Sequence, residues 1–299
     1  MSAEIQKPEP GMAVGYALGL LANVCYATNP LFSLPLLHAG VGVDSVLFWR
    51  YLLALPLYVG LVLGWKRVPS FAMPRAAWLP VTVLALLFGA SSLSLYSAFL
   101  YIDGGLACTI LYVYPAMVTF LSVCFFGEKL TWRLLLALGA ATAGICLLYR
   151  GESGAASDLR GVAWSLASAA FYAFYILGVR HIRPVRELRA EVLTFYVMLF
   201  SMALFGVKLA VAGEPLQLPS APLHWACLAA IALIPTIVSL ETFTRALHRI
   251  GAVRLSILGS AEPLVAICFG VTFFAESLTL KIMFGVALIL SGILCIVRR

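Results

Sequence analysis

Apolar residues run along this chain in continuous stretches of about twenty, broken by short polar connectors, and neither alternate nor recur on a single helix face. At a 1.5 Å rise per residue, about 20 such residues cross the ~30 Å hydrocarbon core of a bilayer. The pattern predicts ten helices, over residues 12–36, 44–64, 76–100, 105–126, 132–149, 159–181, 190–212, 223–247, 252–274 and 280–297. Short connectors make consecutive helices antiparallel and leave no stretch for a soluble domain. The fold class that follows is an all-α integral membrane protein.

Composition supports this: 63% of the 299 residues are hydrophobic and 11% charged, with a mean hydropathy of +1.01, where a soluble domain carries about 25% charged residues. The net charge of +7 does not mark a nucleic-acid binder, because the basic residues sit in connectors and build no basic face interleaved with aromatics. They serve as a topology signal. With the N-terminus cytoplasmic, that side holds fifteen Lys and Arg: Lys7, Lys66, Arg67, Arg75, Lys129, Arg133, Arg180, Arg183, Arg186, Arg189, Arg245, Arg249, Arg254, Arg298 and Arg299. The other side holds five: Arg50, Arg150, Arg160, Lys208 and Lys281. Both termini are therefore expected in the cytoplasm. Residues 1–11 form a polar leader, and the apolar run behind it, about 25 residues, is too long for a cleavable signal and is read as the first span. The seven cysteines all fall inside apolar spans without a CxxC pair, and are read as small packing residues.

The chain also repeats. Pro115, Phe125, Phe126, Glu128, Leu130, Thr131 and Gly144 return as Pro263, Phe273, Phe274, Glu276, Leu278, Thr279 and Gly292 at a constant offset of 148. Gly15, Ala17, Leu20, Tyr26 and Ala27 return as Gly161, Ala163, Leu166, Tyr172 and Ala173 at an offset of 146. A repeat of five helices is odd, so the second copy enters the membrane from the opposite side. The expected organisation is a first five-helix repeat over 12–150, a connector at 151–158, and a second, inverted repeat over 159–299. Two such halves can exchange slightly different conformations, which moves an opening from one face to the other. Transport by alternating access is the function this organisation points to.

The doubled pattern Tyr114-Pro115, Glu128-Lys129-Leu130-Thr131 and Gly144, echoed by Glu262-Pro263, Glu276-Ser277-Leu278-Thr279 and Gly292, resembles the EamA family of the drug/metabolite transporter superfamily. Within it the chain looks like the bacterial YddG-type aromatic amino acid exporters. The resemblance implies a central cavity and efflux of amino acids across the bacterial inner membrane, with export of another small metabolite or drug as the alternative. Helix 1 lacks the intramembrane carboxylate on which the small drug-efflux relatives of this superfamily depend. No mid-span Lys or Arg cluster is present to hold a phosphate. A neutral or zwitterionic solute fits best.

Polar groups inside apolar spans need a partner or a water-filled cavity. By helical spacing, Asn23, Tyr26 and Pro30 share a face of helix 1, Ser92 and Tyr96 one of helix 3, and Ser168, Tyr172 and Tyr175 one of helix 6. Thr109, Tyr112 and Tyr114 on helix 4, and Ser260 and Glu262 on helix 9, complete the candidate substrate-binding set. Each face either lines a cavity suited to an apolar side chain with a zwitterionic head, or packs helices together. Pro30, Pro115 and Pro263 are read as helix kinks that free backbone carbonyls near the midplane. Glu128 and Glu276, with Thr131 and Thr279, sit between consecutive spans and are read as caps of helices 5 and 10. Gly144 and Gly292 are read as sites of close helix packing.

Glu262 is near mid-span without a basic residue on its own helix, and is expected either to be protonated at neutral pH or to face a substrate ammonium. Glu241 precedes Arg245 by four residues, the favourable order for a pair on one helix. Arg50 either snorkels to the outer surface or attracts a carboxylate. An intramembrane enzyme is disfavoured: the histidines lie at or near helix ends, and HExxH and GxSxG are absent. No cofactor or metal is implied, the partners are a small-molecule substrate and the bilayer, and a monomer can enclose a cavity by itself.

Overall fold

The computed structural model describes residues 10–65, 71–102, 104–127, 129, 131–148, 158–262, 264, 265 and 280–297. In hydrocarbon, backbone amides must be satisfied within the segment, so apolar runs become helices. The first half contains α1 (Pro10–Ala27), α2 (Asn29–His38), α3 (Val43–Trp65), α4 (Arg75–Ala98), α5 (Gly104–Leu111), α6 (Tyr114–Phe126) and α7 (Trp132–Leu148). The second contains α8 (Leu159–His181), the short α9 (Arg183–Arg186), α10 (Ala190–Ala212), α11 (Pro222–Ile231), a π-helical turn (Ala232–Val238), α12 (Ser239–Ile250), α13 (Ala252–Leu258), a 3₁₀ turn (Gly259–Ala261) and α14 (Leu280–Val297).

Among the described residues six helical stretches are long and apolar enough to cross a membrane: Gly11–His38, Val43–Val62, Arg75–Ala98, Leu159–His181, Ala190–Ala212 and Pro222–Ile250. Four shorter apolar helices, Tyr114–Phe126, Trp132–Leu147, Ala252–Ala261 and Met283–Cys295, accompany them. The surface is inverted relative to a soluble protein. Leu79, Phe125 and Val211 point outward, while Ser33, Ser165, Thr194, Ser201 and Arg50 lie inside. That arrangement suits lipid as the solvent, with the polar side chains kept among the helices.

Two expected continuous helices restart and a third is distorted, and proline explains each case. Pro30 stands in the first turn of α2 and Pro115 in the first turn of α6. At these positions the missing N–H is one the helix would leave unpaired anyway. The chain therefore restarts at these prolines after short turns and does not bend through them. At Pro235 the helix continues, but as a π-helical turn. The ring removes the donor for the Ile231 carbonyl, and Thr236 Oγ1 donates to that carbonyl instead, at 2.7 Å. Pro263 lies outside the described residues.

Packing follows the repeat. α4 packs on α8 and α1 on α12; α6 packs on α8 and α1 on α13. Exchanging the two halves turns the first member of each pairing into the second. The contacts of α3 with α10 and of α7 with α14 map onto themselves.

The α7–α14 contact explains the matched glycines. A Cβ on Gly144 would lie 2.7 Å from the Gly285 carbonyl oxygen, and one on Gly292 would lie 2.7 Å from the Ala137 carbonyl oxygen. Backbone cannot yield as a side chain can, so only glycine permits this approach. Gly144→Val is expected to destabilise the protein by about 2–3 kcal/mol through overpacking, read as a lower melting temperature of the purified protein. An unchanged melting temperature would remove the close-packing role. Thr131 accepts a hydrogen bond from the Leu134 amide at 3.4 Å, the geometry of a cap on α7. Glu128, Glu276 and Thr279 lie outside the described residues.

Candidate functional site

The two halves meet where α6 lies against α13 and the 3₁₀ turn that follows it. Tyr112, in the turn before α6, donates to Glu262 Oε2 at 3.0 Å. Tyr114 donates to the Ser256 carbonyl at 3.2 Å. Both contacts join the first half to the second, and all three side chains involved are buried. The turn at 112–113 gives this register, because it presents two tyrosines almost in succession to the facing segment.

An aromatic layer adjoins this junction. Tyr172 of α8 meets the Tyr114 ring edge-on at 5.0 Å, stacks over Tyr175 at 6.3 Å and packs beside Phe243 at 5.8 Å. Phe88 of α4 contacts Tyr175 at 5.0 Å. Tyr26, the repeat partner of Tyr172, lies within electrostatic reach of Tyr172, Tyr114, Glu262 and Arg50. Tyr26 and Tyr172 are only half-buried.

Other members of the candidate set divide by role. Tyr96 donates to Asn29 Oδ1 at 2.7 Å, joining α4 to the start of α2. Ser168 and Ser91 exchange reciprocal bonds, Ser168 Oγ to the Ser91 carbonyl at 2.8 Å and Ser91 Oγ to the Ser168 carbonyl at 3.0 Å. These hold α4 close to α8, so Ser91, not Ser92, faces Ser168, while Ser92 is buried beside it. Asn23 donates to the Gly19 carbonyl at 2.8 Å and Ser260 to the Ile257 carbonyl at 2.7 Å, both inside their own segments. The Thr109 side chain lies outside the described residues.

Two polar clusters at opposite ends of the antiparallel α3–α10 pair frame the layer. At one end Arg245 Nε donates to Glu241 Oε1 at 2.7 Å, and its Nη2 donates to Glu191 Oε1. Tyr58 donates to Glu241 Oε2, and Arg189 adds a 3.6 Å contact to Glu191. The pair expected from the spacing of Glu241 and Arg245 is thus part of a network across α3, α10 and α12. A cleft of about 420 Å³ opens beside it, lined by Tyr58, Leu61, Ile237, Glu241 and Thr242 among others. At the other end Lys208 pairs with Asp44 at 2.7 Å. There Gln217 binds the α3 start through the Gly42 amide at 2.5 Å, Ser45 Oγ at 3.1 Å and Trp49 Nε1 at 3.0 Å.

Arg50 corrects the snorkelling alternative. It is 1% exposed and turns inward, donating from Nε to Thr236 Oγ1 at 2.6 Å and from Nη2 to the Pro235 carbonyl at 3.2 Å. The π-helical turn supplies both acceptors. Asn29, Ser33, Tyr51 and Thr236 around it were not singled out by the sequence pattern. The signal available was polarity inside a span, which these residues share with many helix-packing positions. Among the described residues no three His, Cys, Asp or Glu side chains gather as metal ligands.

Comparison with known proteins follows the same division of the chain. The model of the EamA-like transporter family matches residues 13–150 and again 159–298. The chain is 25% identical over 291 residues to YcbK, an uncharacterized transporter of Bacillus subtilis (strain 168), covering 95% of this chain and 93% of the relative. A solved crystal structure has the same fold, with a TM-score of 0.76 at 19% identity over 97% of this chain and 96% of that one.

Proposed function

Because the chain belongs to the EamA-like transporter family, we propose that it is a secondary transporter of the bacterial inner membrane that exports neutral amino acids, aromatic ones among them. The observation that carries the reading is the Tyr112–Glu262 bond between the two halves beside the Tyr114–Tyr172–Tyr26 layer. Rings of this kind take an apolar or aromatic side chain by stacking, and their faces attract an ammonium. A buried carboxylate at the same level offers a second partner for that ammonium. The family and the relative's name both indicate a transporter.

In this reading the ten expected spans form two inverted halves with both termini cytoplasmic, and the chain acts as a monomer. The two matched stretches support a first repeat ending near 150 and a second beginning near 159. Alternating access would move the halves about the Tyr112–Glu262 junction, with the Arg245 network at one end and the Gln217 clamp at the other opening in turn. A bond between a hydroxyl and a carboxylate that sit on different halves can break and re-form without leaving the backbone unsatisfied.

The test is uptake of radiolabelled Phe, Trp, Thr and Met by proteoliposomes, with and without a proton gradient. Saturable counterflow of at least one of them is expected. Glu262→Gln keeps the size of the side chain and removes its charge, and is expected to reduce transport about tenfold and to change its pH dependence. Wild-type rates and pH dependence in that variant would exclude Glu262 from the cycle. Failure of the wild type to move any amino acid would remove the substrate assignment and favour another small metabolite.

A further inference from the structure

Next to the Tyr26 layer, α2, α3 and α4 enclose a set of buried polar groups whose electrostatics do not close. Among the described residues Arg50 bonds to neutral groups, Thr236 Oγ1, the Pro235 carbonyl and Tyr96, and its Nη1 has no partner. Three more buried polar atoms are unpartnered: Asn29 Nδ2, Ser33 Oγ and the Tyr51 hydroxyl. Tyr96 is the neighbour common to all. Its hydroxyl donates to Asn29 Oδ1, which leaves the amide nitrogen free to donate elsewhere, and it faces Arg50, Tyr51 and Ser33. Arg50 also lies 5.5 Å from the centre of the Tyr51 ring.

No ion pair among the described residues includes Arg50. Asp44 is held by Lys208, Glu191 and Glu241 by Arg245, and Glu262 by Tyr112. A buried cation with no counter-charge is costly, and so is each unmet hydrogen-bonding group beside it. All four unpartnered atoms can donate, and none brings negative charge. What would complete the cluster is an anion.

From this convergence we infer that Arg50, Asn29, Ser33 and Tyr51 form an anion subsite for the carboxylate of an organic substrate. A guanidinium edge beside an amide N–H matches two oxygens in one plane, which a carboxylate has and a monatomic ion lacks. The hydroxyls of Ser33 and Tyr51 cover the remaining lone pairs. A carboxylate seated there leaves the rest of its molecule beside the half-buried Tyr26, which lies within electrostatic reach of both Arg50 and Glu262. The inference rests on the amino acid reading above for the source of the carboxylate, and it assigns the end of the substrate that the aromatic layer does not.

Binding to the purified full-length protein in lipid nanodiscs tests it with four probes: L-phenylalanine, 3-phenylpropionate, which lacks the ammonium, phenethylamine, which lacks the carboxylate, and sodium chloride. Carboxylate probes are expected to bind about tenfold to a hundredfold more tightly than phenethylamine, and Arg50→Gln to abolish that preference. Asn29→Asp serves as the second variant. It keeps the size of the side chain and the oxygen that accepts from Tyr96, and it supplies Arg50 with a resident carboxylate. It is expected to fold and to lose the preference as well.

Equal binding of L-phenylalanine and phenethylamine overturns the subsite and leaves the transport reading in place. Binding of 3-phenylpropionate without any amino acid upholds the subsite and removes that reading. Silence of every carboxylate probe, competition by chloride at equal concentration, or a preference that survives in Asn29→Asp overturns the subsite.

Discussion

Replacing Arg245 by alanine is expected to destabilise the protein by about 2–3 kcal/mol, because two buried carboxylates lose the cation between them. Glu241 and Glu191 are 5% and 8% exposed, and Arg245 donates to both. After the substitution, two like charges on α12 and α10 face each other across a low-dielectric contact. Tyr58 can satisfy only one oxygen of Glu241, and Arg189 reaches Glu191 at 3.6 Å from a more exposed position. Breaking a fully buried pair costs about 3–5 kcal/mol. The lower figure applies here because the Arg245 side chain is 31% exposed and water replaces part of the interaction.

The measurement is the melting temperature of the purified protein in detergent, for Arg245→Ala, for Glu191→Gln and for the double variant. The double variant should be more stable than Arg245→Ala alone, since it removes one of the two like charges that Arg245 held together. Simple addition of the two single effects would show that the network is not coupled. Arg245→Lys should fall between, because one ammonium cannot hold the two-sided geometry of the guanidinium.

The second large effect is expected at Gly259. A Cβ there would lie 1.8 Å from the Tyr114 hydroxyl oxygen and 2.9 Å from the carbon that bears it. Tyr114 cannot retreat freely: it is 1% exposed, donates to the Ser256 carbonyl and packs edge-on against Tyr172. Gly259→Ala must displace the ring, at about 1–3 kcal/mol for overpacking and a further ~1 kcal/mol for the lost hydrogen bond. Transport should fall with it, since the displaced ring belongs to the layer between the two halves.

Tyr114→Phe separates these effects. Removing the hydroxyl removes the closest clash, so Gly259→Ala combined with Tyr114→Phe should be more stable than Gly259→Ala alone. If the double variant were no better than the single one, the steric account of Gly259 would fail. Tyr114 belongs with Ser260 and Glu262 to the candidate set, and its contact is the Ser256 carbonyl of α13, with Gly259 giving the room.

Much of the candidate site was legible because burial in a bilayer is chemically unforgiving. Glu262 and the tyrosines of helix 4 stood out as polar groups in apolar runs, and the structure brings Tyr112 and Glu262 into contact. Glu241 and Arg245 were visible as a pair because both lie on one helix at a four-residue spacing. Glu191 and Tyr58 were not, since their link to that pair runs between helices distant in sequence. Arg50 could be read in two ways from its position near a helix end. Only the π-helical turn, with Pro235 and Thr236 turned toward it, makes the inward direction the favourable one.

The amino-acid sequence alone determined that this is an all-helical membrane chain, that it is built twice on one pattern, and that it resembles EamA transporters. Hydropathy carries the first of these because the cost of burying charge in lipid acts on every residue independently of its neighbours. A constant offset carries the second, since it needs no coordinates. Tertiary structure decided which polar residues meet. Lipid on one side and packed helix on the other are equally apolar, so a span shows little periodicity to mark its inner face. Where the chain restarts at Pro30 and Pro115, which serine of α4 meets Ser168, and where Arg50 points are therefore set by contacts between helices, and no local pattern encodes them.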